Sequence, residues 1–107
     1  MALLLIRNGR VINPASGLDE ERNILIEGGR IREISKNMPN IPSVEVINAK
    51  GSIVLPGLID MHVHLRDPGR EDDETIISGT KAAARGGFTS VACMANTDPV
   101  ADNSAVI

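Results

Sequence analysis

The stretch Gly57–Gly69, GLIDMHVHLRDPG, combines a short apolar run with regularly spaced polar residues. We predict a strand over Leu58–Leu65, because this run is short and is bounded by Pro-Gly pairs on both sides. Four polar residues occupy every second position and are therefore predicted to project on one side: Asp60, His62, His64 and Arg66. The apolar side chains between them are expected to face a covering helix.

A helix is predicted after this strand, from an N-cap at Asp72 or Asp73 to about Arg85. Apolar or small side chains recur on one helical face: Ile76, Ile77, Thr80, Ala83 and Ala84. Gly86 and Gly87 follow, and a glycine is the residue that most easily ends a helix.

A second apolar strand is predicted over Phe88–Met94. Strand, helix and strand in this order predict a βαβ unit in a parallel sheet, so the fold class is α/β. Because two parallel strands cannot cover their own edges, we expect the sequence to be the front end of a longer protein. Residues 58–107 would then be the start of a further α/β domain.

Residues 1–57 have a different pattern, in which short apolar runs alternate with turn residues. Six short strands are predicted: Leu3–Asn8, Arg10–Ile12, Asn23–Glu27, Arg30–Ile34, Val44–Ile47 and Ser52–Leu55. Gly28-Gly29 is a two-residue hairpin signal between the third and the fourth. This spacing predicts a small antiparallel β-sandwich without chemistry-bearing residues.

Composition excludes several classes of protein. The 107 residues are 42% hydrophobic and 23% charged with one cysteine, which excludes collagen-like, disulfide-rich and low-complexity chains. No apolar run approaches the ~20 residues of a membrane span, and the net charge of −3 provides no basic surface for nucleic acid. We therefore expect a cytoplasmic protein with neither a nucleic-acid nor a membrane partner.

The two histidines form a candidate metal site. Imidazoles at i and i+2 of a strand lie roughly 7 Å apart along it, and their nitrogens can converge on one ion at ~2.0–2.1 Å. A bare His-x-His pair is also compatible with a surface pair or a hydrogen-bonded core pair. The apolar strand favours a site, because burying unpartnered ionisable groups costs on the order of several kcal/mol each. Asp60 is expected either to support a metal ligand through a hydrogen bond or to accept a structural hydrogen bond, rather than to bind the ion itself.

The sequence resembles the start of the dihydroorotases, in the amidohydrolase superfamily. The resemblance rests on Gly57–Gly69 and continues through Gly86–Thr89 and Met94–Pro99. The first 55 residues resemble the N-terminal sandwich strands of that family. One departure is Ala95, where the family more often has proline before the asparagine.

The resemblance implies a fold and an activity. The fold would be a small β-sandwich portion over 1–57 and, over 58–107, the first βαβ unit of a truncated TIM-like (β/α)8 barrel. The activity would be zinc-dependent interconversion of N-carbamoyl-L-aspartate and L-dihydroorotate in pyrimidine synthesis, with one or two zinc ions per full-length subunit.

The resemblance also assigns roles to matching residues. His62 and His64 would be zinc ligands, while His64, Arg66 and Asn96 would bind the substrate. Arg66 and Asn96 would hold the substrate carboxylate, and a guanidinium is suited to this because its fork matches a carboxylate. The general acid/base aspartate is expected beyond residue 107, which leaves no catalytic proton donor in this chain and predicts that the chain alone is inactive.

Two other functions remain open. One is an allantoinase-like or hydantoinase-like cyclic amidase; Arg66 argues against it, because those substrates lack the ring carboxylate. The other is a catalytically inactive dihydroorotase-like protein that assembles with a transcarbamoylase; the retained His62, His64 and Arg66 argue against it. For the dihydroorotase itself, a homo-oligomer is expected, with a transcarbamoylase as a candidate partner.

Overall fold

The computed structural model describes residues 2–38 and 40–107, which divide into two compact units. The first unit ends at Pro56 and the second begins at Gly57. Five strands belong to the first unit: β1 (Leu3–Asn13), β2 (Leu18–Glu27), β3 (Arg30–Ser35), β4 (Glu45–Asn48) and β5 (Ile53–Val54). Two strands and a helix belong to the second: β6 (Leu58–Val63), α1 (Ile76–Arg85) and β7 (Phe88–Cys93).

The first unit is one mixed sheet in the order β3-β2-β1-β4, with β5 also paired to β1. β1, β2 and β3 are antiparallel neighbours. The predicted hairpin between β2 and β3 is confirmed: Gly28 and Gly29 have φ values of 57° and 75°, as a primed turn requires. β4 and β5 both run parallel to β1.

This sheet differs from the predicted antiparallel sandwich of six strands. Leu3–Asn8 and Arg10–Ile12 are parts of the single strand β1, because an irregularity in its pairing with β2 lets it continue past Gly9. Asn8 takes up that irregularity at a φ of 61°, a conformation that asparagine tolerates better than most residues. β4 enters beside the first half of β1, and β5 continues in the same direction beside its second half, so both are parallel to β1.

Buried apolar side chains lie in this first sheet. The buried hydrophobic residues of the described chain are Leu5, Val11, Ile24, Leu25 and Ala49. Leu5, in the central strand, has no exposed surface. Leu5 and Val11 of β1 therefore form the buried centre of the sheet together with Ile24 and Leu25 of β2.

The second unit is the predicted strand–helix–strand arrangement, and the parallel pairing of β6 with β7 confirms it. The helix begins later than predicted: Thr75 is its N-cap, rather than Asp72 or Asp73. Thr75 Oγ1 accepts a hydrogen bond from the Ser78 amide at 3.0 Å, and Ser78 Oγ accepts one from the Thr75 amide at 2.9 Å. This reciprocal capping satisfies two amides at once, which a single aspartate side chain before the helix does not do.

The end of the helix agrees with the sequence, since Gly87 adopts a φ of 86° directly after it. The predicted α/β class is therefore confirmed at the level of a mixed sheet and one parallel βαβ unit. Over residues 2–38 and 40–107, no helix is long and apolar enough to cross a membrane.

Candidate metal and substrate site

The two histidines lie together at the carboxyl end of β6. His62 belongs to the strand and His64 follows its last residue. Their ring centroids are 5.2 Å apart, and the ring planes are inclined by 66°. Both side chains are exposed, so an ion could reach the nitrogens of both rings. This spacing suits two imidazoles that bind one ion at zinc–nitrogen distances of ~2.0–2.1 Å.

Asp60 takes a structural role beside them. Its Oδ1 accepts a hydrogen bond from the backbone amide of His62 at 3.0 Å, and the residue is half-buried. The pairing of β6 with β7 is irregular between Asp60 and Val63, so that amide is available to a side chain. The carboxylate thereby stabilises the strand backbone from which His62 projects.

Asn96 lies on the loop after β7 and reaches back to His64. Its Oδ1 is 2.9 Å from His64 Nδ1, although 32 residues separate the two in sequence. Parallel pairing explains this contact, because it brings the carboxyl ends of β6 and β7 to the same edge. The Met94 amide, which donates to the Val63 carbonyl at 2.8 Å, extends that pairing to the start of the loop.

The loop after β6 is tied to the loop after β7. The Asp98 amide donates to the Pro68 carbonyl at 3.0 Å. Gly69 has a φ of 111°, and a Cβ atom there would lie 2.6 Å from the Asp98 carbonyl oxygen. Only glycine fits this conformation and this close approach, so the sequence Pro68-Gly69 permits the two loops to pack together.

Asp67 and Glu71 stabilise the same loop. Asp67 Oδ2 accepts a hydrogen bond from the Ile76 amide at 3.2 Å, at the start of α1. The Gly69 amide donates to Glu71 Oε1 at 2.9 Å, and this bond holds the pKa of the Glu71 carboxyl below its usual 4.5. Both acids therefore stabilise the loop that carries Arg66.

Arg66 lies between these features, with a half-buried side chain and a backbone φ of 60°. Its carbonyl accepts a hydrogen bond from the Arg70 amide at 2.9 Å. In the part of the chain that the structure describes, the guanidinium makes no hydrogen bond or ion pair, and no such bond links it to His62, His64 or Asn96. Its donors are thus available to an anion.

The two histidines are ligands of the type that zinc prefers, but two ligands are fewer than the four that zinc usually takes. Imidazole nitrogen is a preferred zinc donor, and zinc usually takes four ligands. No group of three or more His, Cys, Asp or Glu side chains that could hold an ion occurs among residues 2–38 and 40–107. His62 and His64 would supply two ligands of a larger set.

Two structural residues of this region were missed in the sequence. Asp67 accepts a hydrogen bond from the first turn of α1, nine residues later, and no local pattern predicts that contact. Thr75 was overlooked as the N-cap, although a Thr-x-x-Ser spacing directly before Ile76 is compatible with reciprocal capping. The sequence predicts Asp72 or Asp73 instead, because aspartate is a frequent N-cap residue.

Solved structures show which class of protein has this fold. The chain matches a D-hydantoinase with a TM-score of 0.74 and 36% identity, over 87% of this chain and 20% of that one. It matches the L-hydantoinase (dihydropyrimidinase) from Arthrobacter aurescens with a TM-score of 0.76 and 28% identity, over 94% of this chain and 22% of that one. A solved amidohydrolase matches with a TM-score of 0.62 and 33% identity, over 88% of this chain and 26% of that one. The fold and the histidine pair together define an amidohydrolase-type protein.

Sequence comparison narrows this class. The Dihydro-orotase-like family model matches residues 51–106. The dihydroorotase of Geobacter metallireducens is 62% identical over 103 residues, which are 96% of this chain and 24% of that protein. The dihydroorotase of Aquifex aeolicus is 50% identical over 107 residues, which are all of this chain and 25% of that protein. The chain belongs to the dihydroorotase-like family, and it spans about a quarter of the length of these curated relatives.

Proposed function

We propose that this chain carries the first metal ligands and the carboxylate-binding residues of a dihydroorotase. The substrates would be L-dihydroorotate and N-carbamoyl-L-aspartate, and the metal would be zinc. The observation that carries the proposal is the grouping at the ends of β6 and β7, where the two imidazoles lie together and Asn96 contacts one of them. The high identity to curated dihydroorotases supports it.

Each residue has a role that follows from its chemistry. His62 and His64 would hold zinc, which when bound supplies Lewis acidity toward the ring amide carbonyl. Arg66 would pair with the substrate carboxylate, since its guanidinium has no partner among the described residues and forms two parallel hydrogen bonds to such a group. Asn96 would add an amide N–H donor to the same carboxylate. These contacts would orient the ring so that its amide faces the imidazole pair.

The domain arrangement belongs to the same proposal. Residues 1–57 would be part of a β-sandwich domain, and 58–107 would begin a (β/α)8 barrel. The parallel β6–α1–β7 unit supports the barrel, because such barrels repeat this unit with catalytic side chains at the carboxyl ends of the strands. A homo-oligomer in the cytoplasm completes the proposal, and its support is the similarity to curated dihydroorotases.

A hydantoinase-like amidase is the second candidate, and the matches to solved hydantoinases favour it. The two candidates differ in what Arg66 would bind. Dihydroorotate presents a ring carboxylate to a guanidinium, whereas a neutral cyclic ureide leaves a half-buried cation without a partner. Leaving such a charge desolvated is unfavourable, so Arg66 favours the acidic substrate.

A chimera tests the proposal. This chain would replace the matching quarter of the Geobacter metallireducens dihydroorotase, to which it is 62% identical. We expect the chimera to hydrolyse dihydroorotate with zinc bound. We expect no hydrolysis above buffer from residues 1–107 alone, since the described residues supply two zinc ligands. A folded, zinc-loaded chimera that hydrolyses hydantoins but not dihydroorotate would contradict the proposal.

Arg66→Met in that chimera tests the carboxylate role. Loss of one partner of a desolvated charge pair should lower kcat/KM for dihydroorotate. The ratio of the two kcat/KM values should correspond to a loss of about 2–5 kcal/mol of transition-state stabilisation. Zinc content should persist, because the imidazoles bind the ion independently of the guanidinium. Arg70→Met is the matched control, since the Arg70 side chain pairs with Asp73 in the same loop. Unchanged kinetics in Arg66→Met would favour the hydantoinase-like candidate, and loss of zinc would make Arg66 a structural residue.

A further inference from the structure

The contact between Asn96 and His64 determines which nitrogen of the ring carries hydrogen. Asn96 Oδ1, 2.9 Å from His64 Nδ1, is an amide oxygen and can only accept. In the neutral imidazole, Nδ1 must then be the N–H donor, which leaves the lone pair on Nε2. We propose that Asn96 is a positioning residue that holds His64 in the tautomer whose Nε2 is free to bind the metal ion. The metal-binding part of this inference rests on the function proposed above.

The side-chain amide of Asn96 also carries an NH2 group, opposite the oxygen that contacts His64. The NH2 group of Asn96 offers two donors, and no residue that the structure describes accepts a hydrogen bond from it. With its oxygen directed to His64, that group is available to the substrate carboxylate. One side chain would thus orient both a metal ligand and the substrate, so the metal and the carboxylate would keep a fixed spacing.

Backbone hydrogen bonds hold Asn96 in place. The amides of Thr97 and Ala101 both donate to the Ala95 carbonyl, at 2.9 and 3.2 Å. Thr97 Oγ1 donates to the Pro99 carbonyl at 2.9 Å, which closes the turn on its other side. The loop is therefore shaped independently of the Asn96 side chain, and replacing that side chain should leave the turn intact.

His62 provides an internal comparison. Its backbone amide is bonded to Asp60, but its ring makes no hydrogen bond to a described residue. Hydrogen bonds such as the one between the His64 ring and Asn96 orient metal-binding histidines, and the loss of one typically lowers metal affinity by about 10–100-fold. Asn96 should therefore affect the tautomer of His64 and leave that of His62 unchanged.

Ring 15N spectra of the full 107-residue chain test this without metal or substrate. At a pH where both imidazoles are neutral, we expect His64 to carry its hydrogen on Nδ1 and His62 to show the mixture of a free imidazole. Asn96→Leu removes the acceptor and should shift His64 to the same mixture. Asn96→Asp keeps an acceptor oxygen and should preserve the Nδ1–H form.

Asn103→Leu is the matched control, since among the described residues the Asn103 side chain bonds only to Asp102 and Ala105. It should change neither ring. A zinc titration followed by the same signals should give about 10–100-fold weaker binding in Asn96→Leu than in the wild-type chain or in Asn103→Leu.

The outcomes separate the two proposals. Hydrogen on Nε2 of His64 in the wild-type chain would mean that the amide NH2 faces the ring, and would overturn the role of Asn96. A tautomer that Asn96→Leu leaves unchanged would overturn it as well. Ring signals that do not respond to zinc in any variant would instead contradict the metal site of the proposed function. The tautomer result obtained without metal would still hold, because it does not depend on zinc binding.

Discussion

The sheet around β1 buries apolar side chains, whereas the β6–α1–β7 unit leaves its apolar side chains largely exposed. Every buried residue of the described chain belongs to the first unit. In the second unit, Met61 is 77% exposed, Ile77 67% and Ile59 65%. The predicted covering of Met61 by a helix is therefore wrong for the described residues, although Leu65 does lie against α1 at Gly79.

The two units are stabilised by different interactions. The first unit depends on apolar burial around Leu5, which resists any change in side-chain volume. The second unit depends on backbone and capping hydrogen bonds, through Asp60, Asp67 and Thr75. The candidate site belongs to the second unit, so its geometry depends on loops rather than on a core.

The largest loss of stability is expected from Leu5→Ala, which tests whether the first unit depends on apolar burial. Removing a fully buried leucine leaves a cavity and should lower the free energy of unfolding of the first sheet by about 2–5 kcal/mol. Urea titration followed by the amide signals of β1 and β2 measures it. Ile59→Ala is the control, and at 65% exposure it should cost less than about 0.5 kcal/mol. Equal losses in both variants would refute the contrast between the units.

A smaller effect is expected from Gly69→Ala, which tests the loop contact beside the site. A Cβ there meets Asp98 at a φ of 111°, and such strain should cost about 1–3 kcal/mol. The loops should separate, and the His64 ring signals should shift as the contact with Asn96 loosens.

Gly87→Ala is the matched control for that prediction. It places a Cβ at a φ of 86° but meets nothing within 4 Å, so it should leave the His64 signals unchanged. If Gly69→Ala also leaves them unchanged, the loop packing does not position Asn96.

The smallest effect is expected from acid, through the ion pair that joins β1 and β2. Arg10 contacts both carboxylate oxygens of Asp19, at 2.7 and 2.8 Å, and this hydrogen bonding lowers the pKa of Asp19 below its ordinary 3.8. A lowered pKa contributes stability that is complete above the ordinary value and is lost as pH falls through the lowered one. Both side chains are exposed, so the effect on unfolding should be slight.

Arg10→Gln tests this directly. The Asp19 carboxyl should then titrate nearer its ordinary pKa, as its 13C signal would record, and the part of the acid-dependent loss of stability that comes from this pair should disappear. A titration curve that Arg10→Gln does not alter would contradict the ion pair.

Local sequence patterns were enough to predict several features. The Gly28-Gly29 hairpin, the βαβ order and the end of α1 before Gly86-Gly87 all follow from short-range preferences of glycine and of apolar spacing. The motif around His62 and His64 likewise indicates the candidate site. Such features depend on residues within a few positions of one another, which is why the sequence alone determines them.

Tertiary structure decided what depends on distant residues. The return of β4 and β5 to lie parallel to β1 depends on where the chain re-enters the sheet, and no local pattern encodes that. The contact of Asn96 with His64 spans 32 residues and exists because β6 and β7 pair in parallel. The exposure of Met61 has the same origin, because an alternating pattern shows which side chains share a face but not what packs against that face.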